Sequence, residues 1–288
     1  MNPLLQFLML VLAIQTQLPL QGPPPSGFSE TTTTEHFAIF WRSWETPDTQ
    51  VEEVMQVAEK AYGDLAEILG VAEMPHLRII IQLEGDAELG PVRFDSPHVD
   101  SQGRIHLYRY GAPEYTNSLP HELIHAVRRW KRRGWDGFSE EGLATYLGLQ
   151  LSSLVQGYPL YGIPLEIAAG QWLDRGEAIP LKTLRENHHR INLPCKAQAY
   201  TLRGSFFTYL GAKFGRRAVL ELADPQRPPR SRHYEQIFGS SFEELEESWK
   251  TDLLQRFREN PKARELAARY REETPVAEMP VCNSGRDF

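Results

Sequence analysis

His121-Glu122-Leu123-Ile124-His125 reads H-E-x-x-H. On a helix the two histidines stand four residues apart on one face, so two imidazoles can grip one Zn²⁺. Glu122 lies beside them and can serve as general base to a metal-activated water. Downstream, Phe138-Ser139-Glu140-Glu141-Gly142-Leu143-Ala144-Thr145-Tyr146 offers a carboxylate as third ligand. Three protein ligands leave one coordination position open, the mark of a catalytic zinc site; structural sites close all four.

The flanking residues predict a helix from about 118 to 133. Ser118 and Pro120 stand where a helix start favours an N-cap and an early proline. Leu123, Ile124 and Val127 supply an apolar side. Arg128, Arg129, Lys131, Arg132 and Arg133 load its last turns with positive charge, which suits the macrodipole, and Gly134 ends it. The bland alternative is an amphipathic helix with two unrelated histidines. In the second segment Ser139 is the expected N-cap, with Phe138 and Leu143 spaced as a hydrophobic staple. Glu141 then falls in the first turn, where the positive helix end favours an ionised carboxylate. Glu140 points about 100° away from it and reads as a routine first-turn acid.

H-E-L-I-H followed by S-E-E-G-L-A-T-Y resembles the gluzincin metallopeptidases, in particular the peptidase MA-like domains. Thermolysin and the aminopeptidase N family are more distant members of that group. In the aminopeptidase branch the glutamate before the E-G-x-A glycine is the third zinc ligand. The resemblance gives that role to Glu141, with Gly142 and Ala144 matching. Fifteen residues separate His125 from Glu141, a shorter spacing than in those enzymes. The stretch from Tyr200 to Gly215 resembles the aminopeptidase segment whose tyrosine stabilises the oxyanion. Counted back from Gly215, Tyr200 takes that place, and its hydroxyl would donate to the developing charge. Tyr209, His188 and His189 are rival donors, and Tyr200 also reads as the start of an ordinary amphipathic helix. The likeness extends over roughly residues 36 to 258, with firm motif matches at about 118 to 150.

Two departures matter. No G-A-M-E-N-like strand stands upstream to hold a free N-terminal amine, so an endopeptidase is expected over an aminopeptidase. No glycine and third histidine follow His125 at metzincin spacing; Arg128 and Lys131 stand there. Asp136 keeps an aspartate-ligand zincin open, but the E-G-L-A-x-Y context favours Glu141.

The 288 residues are 41% hydrophobic and 24% charged, an ordinary globular composition. A net charge of −7 speaks against nucleic acid as a partner. The apolar run from Leu4 to Ile14 suits a signal h-region and is too short to span a bilayer. Residues 1–22 therefore read as an export signal, although no basic n-region or A-x-A site accompanies it. This implies a periplasmic or extracellular protein, membrane-tethered if the signal stays in place. Residues 23–35 read as linker, Pro-rich and then polar from Thr31 to Thr34. Cys195 and Cys282 fit one disulfide in an exported chain; two unrelated thiols are the alternative.

Periodicity predicts strands at 36–41 and 77–83, with a helix over 49–69 between them. A long loop is expected at 84–102. Residues 103–110 alternate as an edge strand would, and zincins use such an edge to hold a substrate backbone. His106 on it reads as a strand-surface histidine. Beyond residue 137, helical patterns cover about 139–155, 164–174, 180–187, 198–214, 216–223 and 241–258. The expected fold is α+β and zincin-like. A small mixed sheet with helices occupies about 36–137, a mainly helical lobe about 138–274, and a loose tail 275–288. The expected activity is zinc-dependent hydrolysis of peptide bonds in a peptide or protein substrate. Zn²⁺ would be held by His121, His125 and Glu141, with Glu122 and Tyr200 catalytic. The alternative is a zinc-containing domain that binds peptide or envelope partners without cutting.

Overall fold

The computed structural model describes residues 27–69, 79–86, 97–100, 102–109, 118–129, 137–151, 164–187, 193–222 and 232–273. The chain divides into two compact units, residues 1–130 and 131–288. The class is mixed α and β, in keeping with an α+β chain. Among the described residues no helix is long and apolar enough to cross a membrane. The run from Leu4 to Ile14, Gly134, Asp136, His188, His189 and Cys282 lie outside the described residues.

Among the described residues, the first unit holds a five-stranded sheet. Its strands are β1 (Glu30–Thr33), β2 (Phe37–Trp41), β3 (Ile79–Asp86), β4 (His98–Val99) and β5 (Ile105–Arg109), in the order β1-β2-β3-β5-β4. β2 pairs with β3, and β3 with β5, in parallel; β1 and β4 run antiparallel to β2 and β5. Parallel neighbours need a crossover, and helix α1 (Asp48–Leu69) lies between β2 and β3 in the chain. All five residues of β2 are buried, which is why Phe37-Ala38-Ile39-Phe40-Trp41 is a continuous apolar run. α1 buries Val51, Val54, Ala58, Ala61, Tyr62 and Leu65 on one stripe, and it packs on β2. Each fully buried aliphatic side chain of that stripe contributes about 1.5–3 kcal/mol. The start of β2 is tied to α1 through His36, whose Nδ1 lies 2.6 Å from Glu59 Oε2 and whose ring stacks on Tyr62.

Three expectations change in this unit. Thr31 to Thr33, read as linker, belong to β1, because their backbone completes the ladder of β2. The expected loop at 84–102 contains the end of β3 and the whole of β4. β5 is not an edge strand: β3 pairs with one side, and β4 covers its first residues on the other. Alternation shows that one face is more polar, and it carries no information about which neighbours a strand has.

The unit ends in α2 (Leu119–Arg129), which packs on α1, β4 and β5. The second unit is helical: α3 (Gly137–Leu151), α4 (Leu165–Asp174), α5 (Leu181–Glu186), α6 (Leu193–Phe214), α7 (Arg216–Leu222), α8 (Arg232–Phe238), α9 (Phe242–Glu259) and α10 (Pro261–Glu273). α3 is apolar nearly all round and packs chiefly on α6. Gly142, Gly204 and Gly211 bring these two helices close. A methyl group at Gly142 would run into the Phe207 ring; at Gly204 it would meet Thr145, and at Gly211 Tyr146. An aromatic cluster of Phe138, Phe206, Phe207, Tyr234, Phe242 and Trp249 forms the centre, with the Phe138 and Phe242 rings 5.5 Å apart at 83°. α9 opens with a full capping box between Ser241 and Glu244. From the same helix the buried Glu246 carboxylate accepts from the backbone N–H of Leu181 at 2.9 Å, capping α5.

α8 and α10 were not expected from periodicity. α10 does carry a start signal: Asn260 Oδ1 accepts from Ala263 N–H at 3.1 Å, and Pro261 is the first helical residue. α6 begins at Leu193, so the backbone of Cys195 is helical rather than part of a loop. Its pairing with Cys282 falls outside the described residues.

Candidate metal centre

α2 starts directly after Ser118, with Pro120 as its second residue, as expected. Every side chain from Leu119 to Val127 is buried, so this is a core helix rather than an amphipathic surface one. His121, Glu122 and His125 are 7%, 6% and 8% exposed. Histidine and glutamate reach such burial when partners compensate their lost hydration. The two Nε2 atoms lie 3.0 Å apart, and the rings meet at 73°. Two nitrogens bound tetrahedrally to one zinc ion would stand about 3.3 Å apart, so the observed convergence is close to that of a chelating pair.

Glu141 supplies the third group. One ligand atom from each of His121, His125 and Glu141 lies within 4.8 Å of the others. This group of two imidazoles and a carboxylate could hold a metal ion. The donor set fits: neutral imidazole nitrogen and carboxylate oxygen bind borderline divalent ions, and three ligands leave a place for water or substrate.

The route by which Glu141 reaches this position differs from the expected one. α3 starts at Gly137, so Ser139 is inside the helix and not its N-cap. Ser139 is buried, and its hydroxyl lies 3.2 Å from that of Tyr234. Phe138 accordingly belongs to the aromatic core instead of a staple. Glu140 is the first-turn acid, and Glu141 follows as the fifth helical residue. Thr145, one turn after Glu141, donates its hydroxyl to the Glu141 backbone carbonyl at 2.8 Å. It therefore braces the helix turn beneath Glu141 rather than its carboxylate.

No family model matches the chain, and no curated protein matches it significantly. The likeness to gluzincins rests on the motif residues themselves.

Of the rival oxyanion donors, Tyr209 is committed elsewhere: its hydroxyl donates to Ser248 Oγ at 2.8 Å and accepts from Lys213 Nζ at 2.6 Å. Tyr200 lies in the first half of α6, half-buried. α6 is the helix that packs along the Glu141 helix.

One cluster escaped sequence reading. His106 is not a plain surface histidine: its Nδ1 lies 2.7 Å from Glu84 Oε1 and its Nε2 3.3 Å from Asp100 Oδ2. His98 stacks on its ring with centroids 4.6 Å apart. The partners sit 22 and 6 residues away, spacings that no short motif encodes.

Proposed function

We propose that this chain is an exported zinc-dependent peptidase of gluzincin type, with a zincin-like fold, acting on internal peptide bonds of a peptide or protein. The observation that carries this reading is the convergence of His121, His125 and Glu141, with the buried Glu122 next to a ligand. A binding domain would need the three ligands and would have no use for Glu122. When bound, zinc supplies a Lewis acid that polarises a carbonyl and acidifies a water. Glu122 accepts a proton from the attacking water and passes it to the leaving amine nitrogen. One water and one peptide bond thus become a carboxylic acid and an amine, which settle as carboxylate and ammonium. The Tyr200 hydroxyl donates a hydrogen bond to the carbonyl oxygen as charge develops there. Residues 1–22 direct export to the periplasm or beyond the cell.

The test is cleavage of a denatured protein mixture by the zinc-loaded chain, read by mass spectrometry of new termini. Internal cuts are expected, lost with a chelator and restored by zinc. Glu122→Gln should lower the rate at least about a hundredfold while metal stays bound. Full activity in that variant contradicts the general-base role. Stoichiometric zinc without any cutting would favour the binding-domain alternative.

A further inference from the structure

The Glu84–His106–Asp100 cluster lies in the first unit and has no part in the hydrolysis described above. Its geometry fixes a proton count. Ionised carboxylates accept hydrogen bonds and cannot donate them. A neutral imidazole has one N–H and one bare nitrogen, so it can serve one carboxylate and repels the other. His106 faces a carboxylate at each ring nitrogen, at 2.7 Å and 3.3 Å, and its side chain is only 13% exposed. Only the doubly protonated ring serves both carboxylates at once.

We propose that His106 is an imidazolium strut that locks the β4–β5 hairpin to the end of β3, and that its deprotonation releases the hairpin on which α2 rests. Glu84 comes from β3, and Asp100 opens the turn between β4 and β5. Asp100 also accepts from Arg104 Nε at 2.6 Å and from the backbone N–H of Gln102 at 2.8 Å. Arg42, beyond β2, reaches Glu84 at 3.8 Å. From β4, His98 covers the His106 ring, and Tyr108 lies beside His98. α2 packs on both β4 and β5, and its own titratable groups in that stretch are His121, Glu122 and His125. His106 is thus a positioning residue, one strand behind the helix that carries the proposed ligands.

The direction of the pH effect follows from the two ends of the strut. The hydrogen bond to Glu84 raises the His106 pKa, burial lowers it, and Asp100 raises it further, leaving it above the ordinary value. A raised histidine pKa gives stability that is complete below about pH 6.5 and is lost as pH climbs through the folded value. Burial alone would push the Asp100 carboxyl up, but hydrogen bonds from Arg104, His106 and Gln102 hold it well below the usual carboxylate range. That contribution is present above about pH 4 and disappears in stronger acid. The hairpin is therefore held fast in weakly acidic solution and past pH 6.5, and it loosens as pH rises through the raised His106 value.

The strut itself does not depend on the peptidase reading; its effect on turnover does. The test is a pH titration of the full chain, following the His106 ring resonances and amide exchange over residues 98–109, corrected for intrinsic exchange. We expect the ring to stay charged above pH 6.5 and exchange to accelerate as it titrates. His106→Gln should speed exchange there about tenfold at pH 6.5 and remove the step. Glu84→Gln provides a second route, since it removes one carboxylate and returns the ring toward an ordinary pKa. An ordinary His106 titration with pH-independent exchange overturns the strut. If the strut titrates as stated and the chain cuts nothing, the peptidase reading fails and the strut stands. If the chain is active, His106→Gln should flatten the fall of its rate profile above pH 6.5; an unchanged fall overturns the positioning role.

Discussion

Tyr200 and Tyr209 are both on α6, and their hydroxyls separate two roles. Tyr209 already bridges Ser248 and Lys213, so Tyr209→Phe should cost about 1 kcal/mol of stability and leave turnover intact. Tyr200→Phe should instead lower kcat about a hundredfold, as loss of one oxyanion donor does. Steady-state rates and urea midpoints of the two variants check this; equal effects of the two on rate contradict it. Sequence counting back from Gly215 brought Tyr200 forward, but what disqualifies Tyr209 is a partner 39 residues away. The candidate metal group was legible for the opposite reason. His121 and His125 are set by a spacing of four on one helix, and Glu141 by a short motif. Local chemistry is written locally; Ser139, whose partner Tyr234 is 95 residues off, was misread as a cap.

At the scale of elements, the α3–α6 contact should be the least tolerant part of the helical unit. Gly142→Ala forces the Phe207 ring to move inside a close-packed aromatic cluster, and a cost of about 1–3 kcal/mol is expected. A chemical-denaturation midpoint equal to wild type would contradict that packing. In the first unit, the β2–α1 tie is pH-dependent. Burial raises the Glu59 carboxyl, but hydrogen bonds from Thr34 and His36 outweigh it, holding it below the ordinary glutamate range. That stability is present above pH 4.5 and lost as pH falls further. Thermal melts in acid should therefore show a shallower loss for Glu59→Gln than for wild type. Helices with strong stripes or caps, such as α1 and α9, were legible from sequence. β1, a run of threonines, and β4, two residues long, were not, since both owe their structure to the strand beside them.

For the whole molecule, a bound ion should act as a ligand of the native state. At a hundredfold excess over Kd it contributes about 2.7 kcal/mol, or some 5–10 °C in Tm for a chain of this size. Melting with and without a chelator should show that shift, and His125→Ala should abolish it. The net charge of −7 should also leave the chain without affinity for nucleic acid at physiological salt.

Metal content after dialysis against zinc, measured for wild type, Glu141→Ala and Glu140→Ala, addresses the three ligands most directly. One zinc per chain is predicted for wild type and Glu140→Ala, with a large loss in Glu141→Ala. A wild-type chain that keeps no zinc, or a Glu141→Ala chain that keeps as much as wild type, contradicts the account.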